Sequence, residues 1–466
     1  MKKLNLLPAI SLLFMIPLPF LRTQEQVSHR AREQVSCQAP EHLSCQTKPK
    51  LTLKTQDQLP RWTQDQLPRW THFRGNKLDG ISGEKDLPVT WNDTTHIGWK
   101  TPIEGKGWSS PVVWGNQVWL TTATRDGREM RAVCADLFSG RILHNLLVFN
   151  PDTLFRIHAV NSYATPTPAI EEGFLYVHFG RYGTACVNTR SGSVVWKRTD
   201  LQCEHIQGPG SSLMLYRDKL IVHLEGTDVQ QILALDKRTG KIIWKAERPR
   251  ECYEPLDEIG KKAYTTPLIV RVGGRDLMIS NGSAVCIAYD PDSGKEVWRI
   301  VRGEDSTIAM PVEYGGIVFF YTGFVRDPDG KKHAELLAVN PDGSGDIAGT
   351  HILWKRDFPI LQLLTPVIRE GIIYTVDSEG MLYCLDALTG QTLWSEKLRG
   401  KYNASPVYAD GHVYFCSTNG RAIVLKTDPE PEIVAENHLD GNIWATPAIA
   451  DGAILIRTSK YLYKLQ

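Results

Sequence analysis

The feature that most limits what this chain can become is a marker that keeps returning: a small polar residue, a proline, then an apolar run. It reads Ser110-Pro111-Val112, Thr165-Pro166, Thr266-Pro267, Met310-Pro311-Val312, Thr365-Pro366-Val367, Ser405-Pro406-Val407 and Thr446-Pro447-Ala448, with a degenerate copy at Ser211-Ser212-Leu213. A second marker closes each unit, as in Asp236-Lys-Arg-Thr-Gly240-Lys-Ile-Ile-Trp244, and recurs as Asn188–Gly192–Trp196, Asp290–Gly294–Trp298 and Asp386–Gly390–Trp394. The first unit has Asp136–Gly140 with His144 in the tryptophan slot, and the fifth has Asn340, a longer loop and then Trp354. Asp or Asn opens a hairpin turn by accepting from its own backbone, and Gly supplies the positive φ. Trp196, Trp244, Trp298, Trp354 and Trp394 are then expected to lie flat on their strands and dock each unit on the next.

Between the markers run short apolar or alternating stretches of strand type, with no helical period. Units of roughly 40–50 residues holding about four strands are propeller blades. Eight starts predict an all-β, eight-bladed propeller of four-stranded antiparallel blades over 73–466. The last unit, from Ala445 to Gln466, has room for only about three strands and lacks the Gly–Trp ending. Gly98-Trp99-Lys100-Thr101-Pro102 is the available outer strand, so the N-terminal strand is expected to pair with the C-terminal blade and remove an exposed sheet edge.

Residues 1–24 read as a signal peptide or N-terminal anchor: Lys2 and Lys3 precede an uncharged apolar stretch from Leu4 to Leu21. That pattern places the protein in an exported compartment, periplasmic, secreted or membrane-tethered. Residues 25–72 repeat every eight positions, as in DQLPRWTQ followed by DQLPRWTH. One apolar residue per repeat cannot offset ordering entropy, so this segment is expected to be a disordered spacer. Lys and Arg number 53 against 52 Asp and Glu. Without a basic excess or cluster, a nucleic-acid partner is not expected.

The repeat Ala234-Leu-Asp236-Lys-Arg-Thr239-Gly240-Lys-Ile-Ile-Trp244 resembles the blade motif of the pyrroloquinoline-quinone-like (PQQ-like) propeller family. Phe73-Arg74-Gly75, Leu87-Pro88, Trp91, Trp99-Lys100 and Gly107-Trp108-Ser109-Ser110-Pro111 are similar to the entry segment of a bacterial exported subgroup. The resemblance implies two kinds of function. Some members are quinoprotein dehydrogenases, which hold the quinone and calcium in the central channel under an adjacent Cys–Cys pair, with an Asp base and Glu and Asn metal ligands. Others are outer-membrane assembly factors. This chain has cysteines at 37, 45, 134, 186, 203, 252, 286, 384 and 416, none adjacent, and no acidic residue that aligns with the base or the calcium ligands. No catalytic residue, metal site or cofactor is therefore expected, with PQQ and calcium entering only if the chain is an oxidoreductase. The reading reached is a non-catalytic, monomeric binding or scaffolding module for a protein or envelope component. The alternative is a quinone- and calcium-dependent oxidoreductase.

Cys134, Cys186 and Cys384 each stand two residues before a turn Asp or Asn, where other blades carry Ala234, Ala288 and Ala338. A slot that takes either residue is a small buried site. Cys203 and Cys252 are the loop candidates for a disulfide. A ligand would sit at the channel mouth, beside the Ser/Thr-Pro markers. The candidates there are His158, Asn161, Ser162 and Tyr163; His205, Ser211 and Ser212; Lys262 and Tyr264; Lys401, Tyr402 and Asn403; and Trp444. Aromatic, amide and cationic side chains together suit an anionic or sugar-like ligand or a peptide. The same residues also suit a plain structural role, capping strand ends and holding channel water.

Overall fold

Each Ser/Thr-Pro marker opens a short strand, and the strands that follow add outward from it by hairpins. In the computed structural model, which describes residues 67–304, 307–359, 364–428 and 430–466, eight separate sheets result. Their inner strands are Val112–Trp114, Ala169–Glu171, Met214–Tyr216, Leu268–Val272, Val312–Tyr314, Val367–Arg369, Val407–Ala409 and Ala448–Ala450; the blades are numbered one to eight in that order. Blade three is typical, with Lys219–Glu225, Gln230–Asp236 and Ile242–Glu247 following in antiparallel order. The chain is an eight-bladed β-propeller.

The expected closure is present. Ile97–Pro102 pairs antiparallel with Tyr461–Leu465, with Trp99 opposite Lys464 and Lys100 opposite Tyr463. Trp99 also supplies what blade eight lacks. Its indole Nε1 donates to Leu137 O of blade one at 2.8 Å, and its ring covers Gly140, where an added Cβ would come within 2.7 Å of it. The same arrangement repeats round the ring: Trp196 donates to Lys237 O, Trp244 to Pro291 O, Trp298 to Pro341 O and Trp354 to Ala387 O. The turn glycine thus has two duties, a positive φ (71° at Gly240) and a bare surface for the preceding blade's indole. Asp236 Oδ1 accepts the N–H groups of Arg238 and Thr239 and the Thr239 hydroxyl, closing the turn as its sequence implied.

The cysteine slot has an equally direct cause. Cys186 and Cys384 stand opposite Trp196 and Trp394 across the sheet, and Ala234, Ala288 and Ala338 stand opposite Trp244, Trp298 and Trp354. A bulge at each pair turns the indole, leaving space for only a small partner. All seven described cysteines are free, Cys203 and Cys252 included. Burial pushes the Cys186, Cys203, Cys384 and Cys416 thiols up to about 12, so they are unreactive at neutral pH.

Two expectations need correction. In blade two the inner strand begins at Ala169, so the marker there is Thr167-Pro168; Thr165-Pro166 lies two residues upstream. The sequence Thr-Pro-Thr-Pro offers both registers, and only the strand start selects one. The N-terminal boundary also moves. Residues 1–24 and the spacer through residue 66 lie outside the described residues, but 67–72 belong to the propeller. Arg69–Trp70 pairs with blade one's inner strand, and Trp70 is 2% exposed. An octapeptide so poor in apolar residues does not make a strand alone; the inner edge of blade one does.

From that strand the chain crosses the channel. Thr71 O accepts Ile170 N–H of blade two, and His72 Nε2 accepts Leu215 N–H of blade three at 3.1 Å. Arg74 then reaches the opposite side, donating to Thr365 O, Pro366 O and Pro406 O of blades six and seven and to Asp79 O. Gly80 O and Ser82 N–H bond Tyr408 of blade seven, and Trp91 N–H donates to Asn437 Oδ1 on its way to the closing strand. The segment from Arg69 to Trp91 is a plug tied to blades far apart in the ring.

His72 makes the plug acid-sensitive. Burial lowers its pKa from 6.5 to about 4, and its Nε2 must stay unprotonated to accept from Leu215. The unfolded chain takes up this proton below about 6.5 and the folded chain only below about 4. Stability present above the first value is therefore lost as pH falls between them, by about 3 kcal/mol for this group. Denaturant titrations at pH 7 and pH 4 should show a His72→Gln variant losing less stability than the parent by roughly that amount. Equal losses in both proteins would contradict it.

Candidate functional site

Against the plug, whose Phe73 is among the lining residues, the inner-strand starts converge on a funnel of about 370 Å³. Two concentric tiers build it. The lower tier is the marker residue itself: Ser110, Thr167, Ser212, Thr266, Thr365, Ser405 and Thr446 all line the cavity. These hydroxyls also staple neighbouring blades. Thr167 Oγ1 accepts Ser110 N–H, Ser212 Oγ accepts Thr167 N–H, Thr266 Oγ1 accepts Ser212 N–H, Thr365 Oγ1 accepts Met310 N–H and Thr446 Oγ1 accepts Ser405 N–H. The upper tier lies two residues before each marker: Trp108, Thr165, Gly210, Tyr264, Ile308, Asn403 and Trp444.

Trp108 and Trp444 stack at 5.0 Å between ring centroids and 15° between planes, across the junction of blades eight and one. The rim beside them comes from the loop that carries His158, Val160 and Asn161, held down by Trp108 Nε1 donating to Val160 O and Lys106 Nζ to Asn161 O. Asn161 Nδ2 donates to Gln207 O and Pro209 O, and Tyr264 OH donates to Gln207 Oε1 at 2.6 Å. Aromatic faces, amides and hydroxyls are thus fixed in place before any ligand arrives.

Of the sequence candidates, His158, Asn161, Tyr264, Asn403 and Trp444 line the funnel, as does Ser212. The others stand elsewhere. Ser162, Ser211 and Tyr402 are buried in the wall, Tyr402 donating to Arg399 O. Tyr163 turns outward to Phe155 O and packs edge-on against Tyr182. His205 lies under an adjoining groove. Lys262 is buried, its Nζ donating to Ala263 O and lying 4.7 Å from the Tyr264 ring centroid, and burial lowers its pKa to about 8. Lys401 is exposed and pairs with Glu379. Both cations therefore leave the site. Phe73 and Trp108 appeared in the sequence only as entry-segment features; counting back two residues from each marker would have found the upper tier except in blade two, where the sequence register points to Tyr163 in place of Thr165.

The donor set bears on the cofactor question through its chemistry. No Asp, Glu, Lys or Arg lines the funnel among the described residues. Calcium needs carboxylate or carbonyl oxygens, several of them charged, and a tricarboxylate quinone needs cations. The residues present do not fit either group. A fully enclosed carboxylate network lies elsewhere, in blades three and four. Burial would push Glu225 up, but Arg248 at 2.6 Å and His223 at 2.8 Å hold it at about 2, and Tyr253 OH and Ser283 N–H complete its shell. Its side chains are 0% exposed, so it braces the blades rather than meeting a reactant. His333, Glu335 and Asp357 bring ligand atoms within 4.8 Å of one another, but Glu335 is already paired with Arg302 and Lys355.

Comparison with known proteins follows this division. A family model described as outer membrane protein assembly factor BamB matches residues 153–246, 228–345 and 333–431, together more than half of the chain. The BamB of Yersinia pestis is 30% identical over 269 residues, 48% of this chain and 66% of that protein. Quinohemoprotein alcohol dehydrogenase ADH IIB of Pseudomonas putida is 29% identical over 298 residues, 50% of this chain and 41% of that protein. The match thus spans less than two thirds of either relative. Among solved structures, the quinohemoprotein alcohol dehydrogenase of Comamonas testosteroni superposes with a TM-score of 0.58 at 11% identity, covering 85% of this chain and 80% of its own. BamB of Moraxella catarrhalis gives 0.50 at 12%, covering 74% and 95%. At such identities the structures share a fold and nothing finer. With the blade motif, the eight sheets and the family match in agreement, this chain belongs to the PQQ-like β-propeller repeat family that includes the BamB assembly factors.

Proposed function

We propose that this protein is an exported, non-catalytic binding propeller that engages a protein partner through its funnel face. The observation that carries the reading is a crescent of exposed apolar side chains around that mouth: Phe155, Val160, Ile206, Ile259 and Ile308, between 37% (Ile308) and 49% (Val160) exposed. Phe155, Ile206 and Ile259 line a groove, edged by Arg156, Arg181, Glu204 and Glu258, that shares His158 and Gln207 with the funnel, so the apolar side chains border one mouth. Apolar surface of this kind, rimmed by polar groups, marks an interaction site. The likeness to assembly factors supports a protein partner, and the apolar segment at 1–24 supports export.

The test is site-specific photocrosslinking in envelope fractions, with the probe at Ile206 or, as a control, at Leu393 on an outer strand (56% exposed). A discrete protein adduct at Ile206 alone is expected, and its loss in an Ile206→Asp/Ile259→Asp protein. Equal labelling at both sites would refute the reading. The competing oxidoreductase reading has its own outcome: saturable tryptophan quenching by the quinone with calcium, followed by alcohol-dependent dye reduction.

A further inference from the structure

We infer that the funnel interior is a binding site for a neutral carbohydrate, separate from the protein-docking crescent on its rim. The first ground is the sign of the site. With Lys262 buried and Lys401 outside, the described lining holds no charged side chain, so an anionic ligand has nothing to meet there.

The second ground is the kind of polar group on offer. The backbone N–H groups of Ser110, Thr167, Ser212, Met310 and Ser405 are already spent on the neighbouring blade's hydroxyl. The inner edge of blade one is occupied by Arg69–Trp70. A peptide seeking strand-type pairing at that edge finds it taken. What faces the cavity is the marker hydroxyls, most of which accept a neighbour's N–H and can still donate, and the Asn403 carboxamide, the Asn161 amide being already bonded to Gln207, Pro209 and Thr165. Their natural complement is a ligand whose own polar groups do both, namely hydroxyls.

The third ground is Ser110. It is 1% exposed, lines the cavity, and its Oγ has no hydrogen-bond partner. A buried hydroxyl left unsatisfied costs about 1–3 kcal/mol, and a ligand hydroxyl at that depth would satisfy it. The cavity is also lined by the rings of Trp108, Trp444 and Tyr264, whose surfaces not covered by the Trp108–Trp444 stack suit the C–H faces of a sugar ring. A volume of about 370 Å³ lies in the small-ligand range.

The experiment screens the full chain on an array of neutral and acidic mono- to hexasaccharides and, in parallel, on a peptide array. Hits are titrated by tryptophan fluorescence. We expect at least one neutral sugar to quench saturably, and acidic analogues to bind at least tenfold more weakly. Trp108→Ala should weaken binding at least tenfold. Ser110→Ala removes a hydroxyl that bonds nothing within the protein, so it should weaken binding several-fold with an unchanged melting temperature. Binding that survives both substitutions, an array with no neutral-sugar hit, or a peptide that quenches and is lost in the same variants would each overturn the inference. The Ile206→Asp/Ile259→Asp protein separates the two readings, since it should lose the protein crosslink and keep the sugar titration.

Discussion

Removal of residues 461–466 is expected to leave no cooperatively folded propeller, although it deletes only one short strand. Tyr461–Leu465 is the middle of blade eight: it pairs with Ala453–Arg457 on one side and with Ile97–Pro102 on the other. Without it the N-terminal strand has no partner, and Trp99 loses the sheet that aims it at Gly140. Two unpaired edges then face solvent, each a template for pairing with another chain. The expected result is loss of the cooperative melt by circular dichroism and elution as aggregate. A milder form isolates the clasp. Trp99→Ala should cost about 3–5 kcal/mol, the range for truncating a buried aromatic, because the 9%-exposed indole also surrenders its bond to Leu137 O. A monomeric truncated protein melting like the parent would sink the idea that the chain ends hold the ring.

Arg74→Met is expected to cost about as much as Trp99→Ala, about 3–5 kcal/mol, while preserving side-chain bulk. The guanidinium is 0% exposed and faces no carboxylate within hydrogen-bond reach among its partners; four backbone oxygens, from Asp79, Thr365, Pro366 and Pro406, solvate it. Burial lowers its pKa to about 9, which still leaves it cationic at neutral pH. Each bond is charge-assisted and stronger than a neutral one. Methionine orphans all four acceptors at once, and lysine cannot reproduce the fork. At roughly 1 °C per kcal/mol for a chain of this length, the melting temperature should fall by about 5 °C. The sharper readout is limited proteolysis, since the segment between Arg69 and Trp91 should become the first site of cleavage. If Arg74→Met melts normally and that segment stays protected, the plug is held by something other than Arg74.

The blade count, the turn chemistry, the docking of Trp196, Trp244, Trp298 and Trp354 and the ring closure were legible in the residues. Each depends on a short-range pattern that repeats, and repetition lets one clear copy interpret a worn one: Asp236–Gly240–Trp244 explains Asp136–Gly140–His144. Even the closure is arithmetic, since blade eight is one strand short and Ile97–Pro102 is one strand over. The candidate site was legible only in part. His158, Asn161, Tyr264, Asn403 and Trp444 were placed at the mouth, but Lys262, Tyr402 and Lys401 were not distinguished from them by sequence.

The reason lies in where the chain leaves its repeat. Loops before each marker differ in length and path, so whether Lys262 or Tyr264 faces the funnel depends on backbone direction at a bend, which no periodicity encodes. Only the assembled ring also shows that Thr167, and not Thr165, meets Ser110 N–H. The plug is the extreme case. Phe73-Arg74-Gly75 is plain in the sequence, but its meaning comes from carbonyls 291 to 332 residues away. Sequence by itself determined the eight sheets and their clasp, because hairpin turns and strand alternation are local. Tertiary structure alone decided what the centre contains, because the axis is where residues distant in the chain are forced to share one small space.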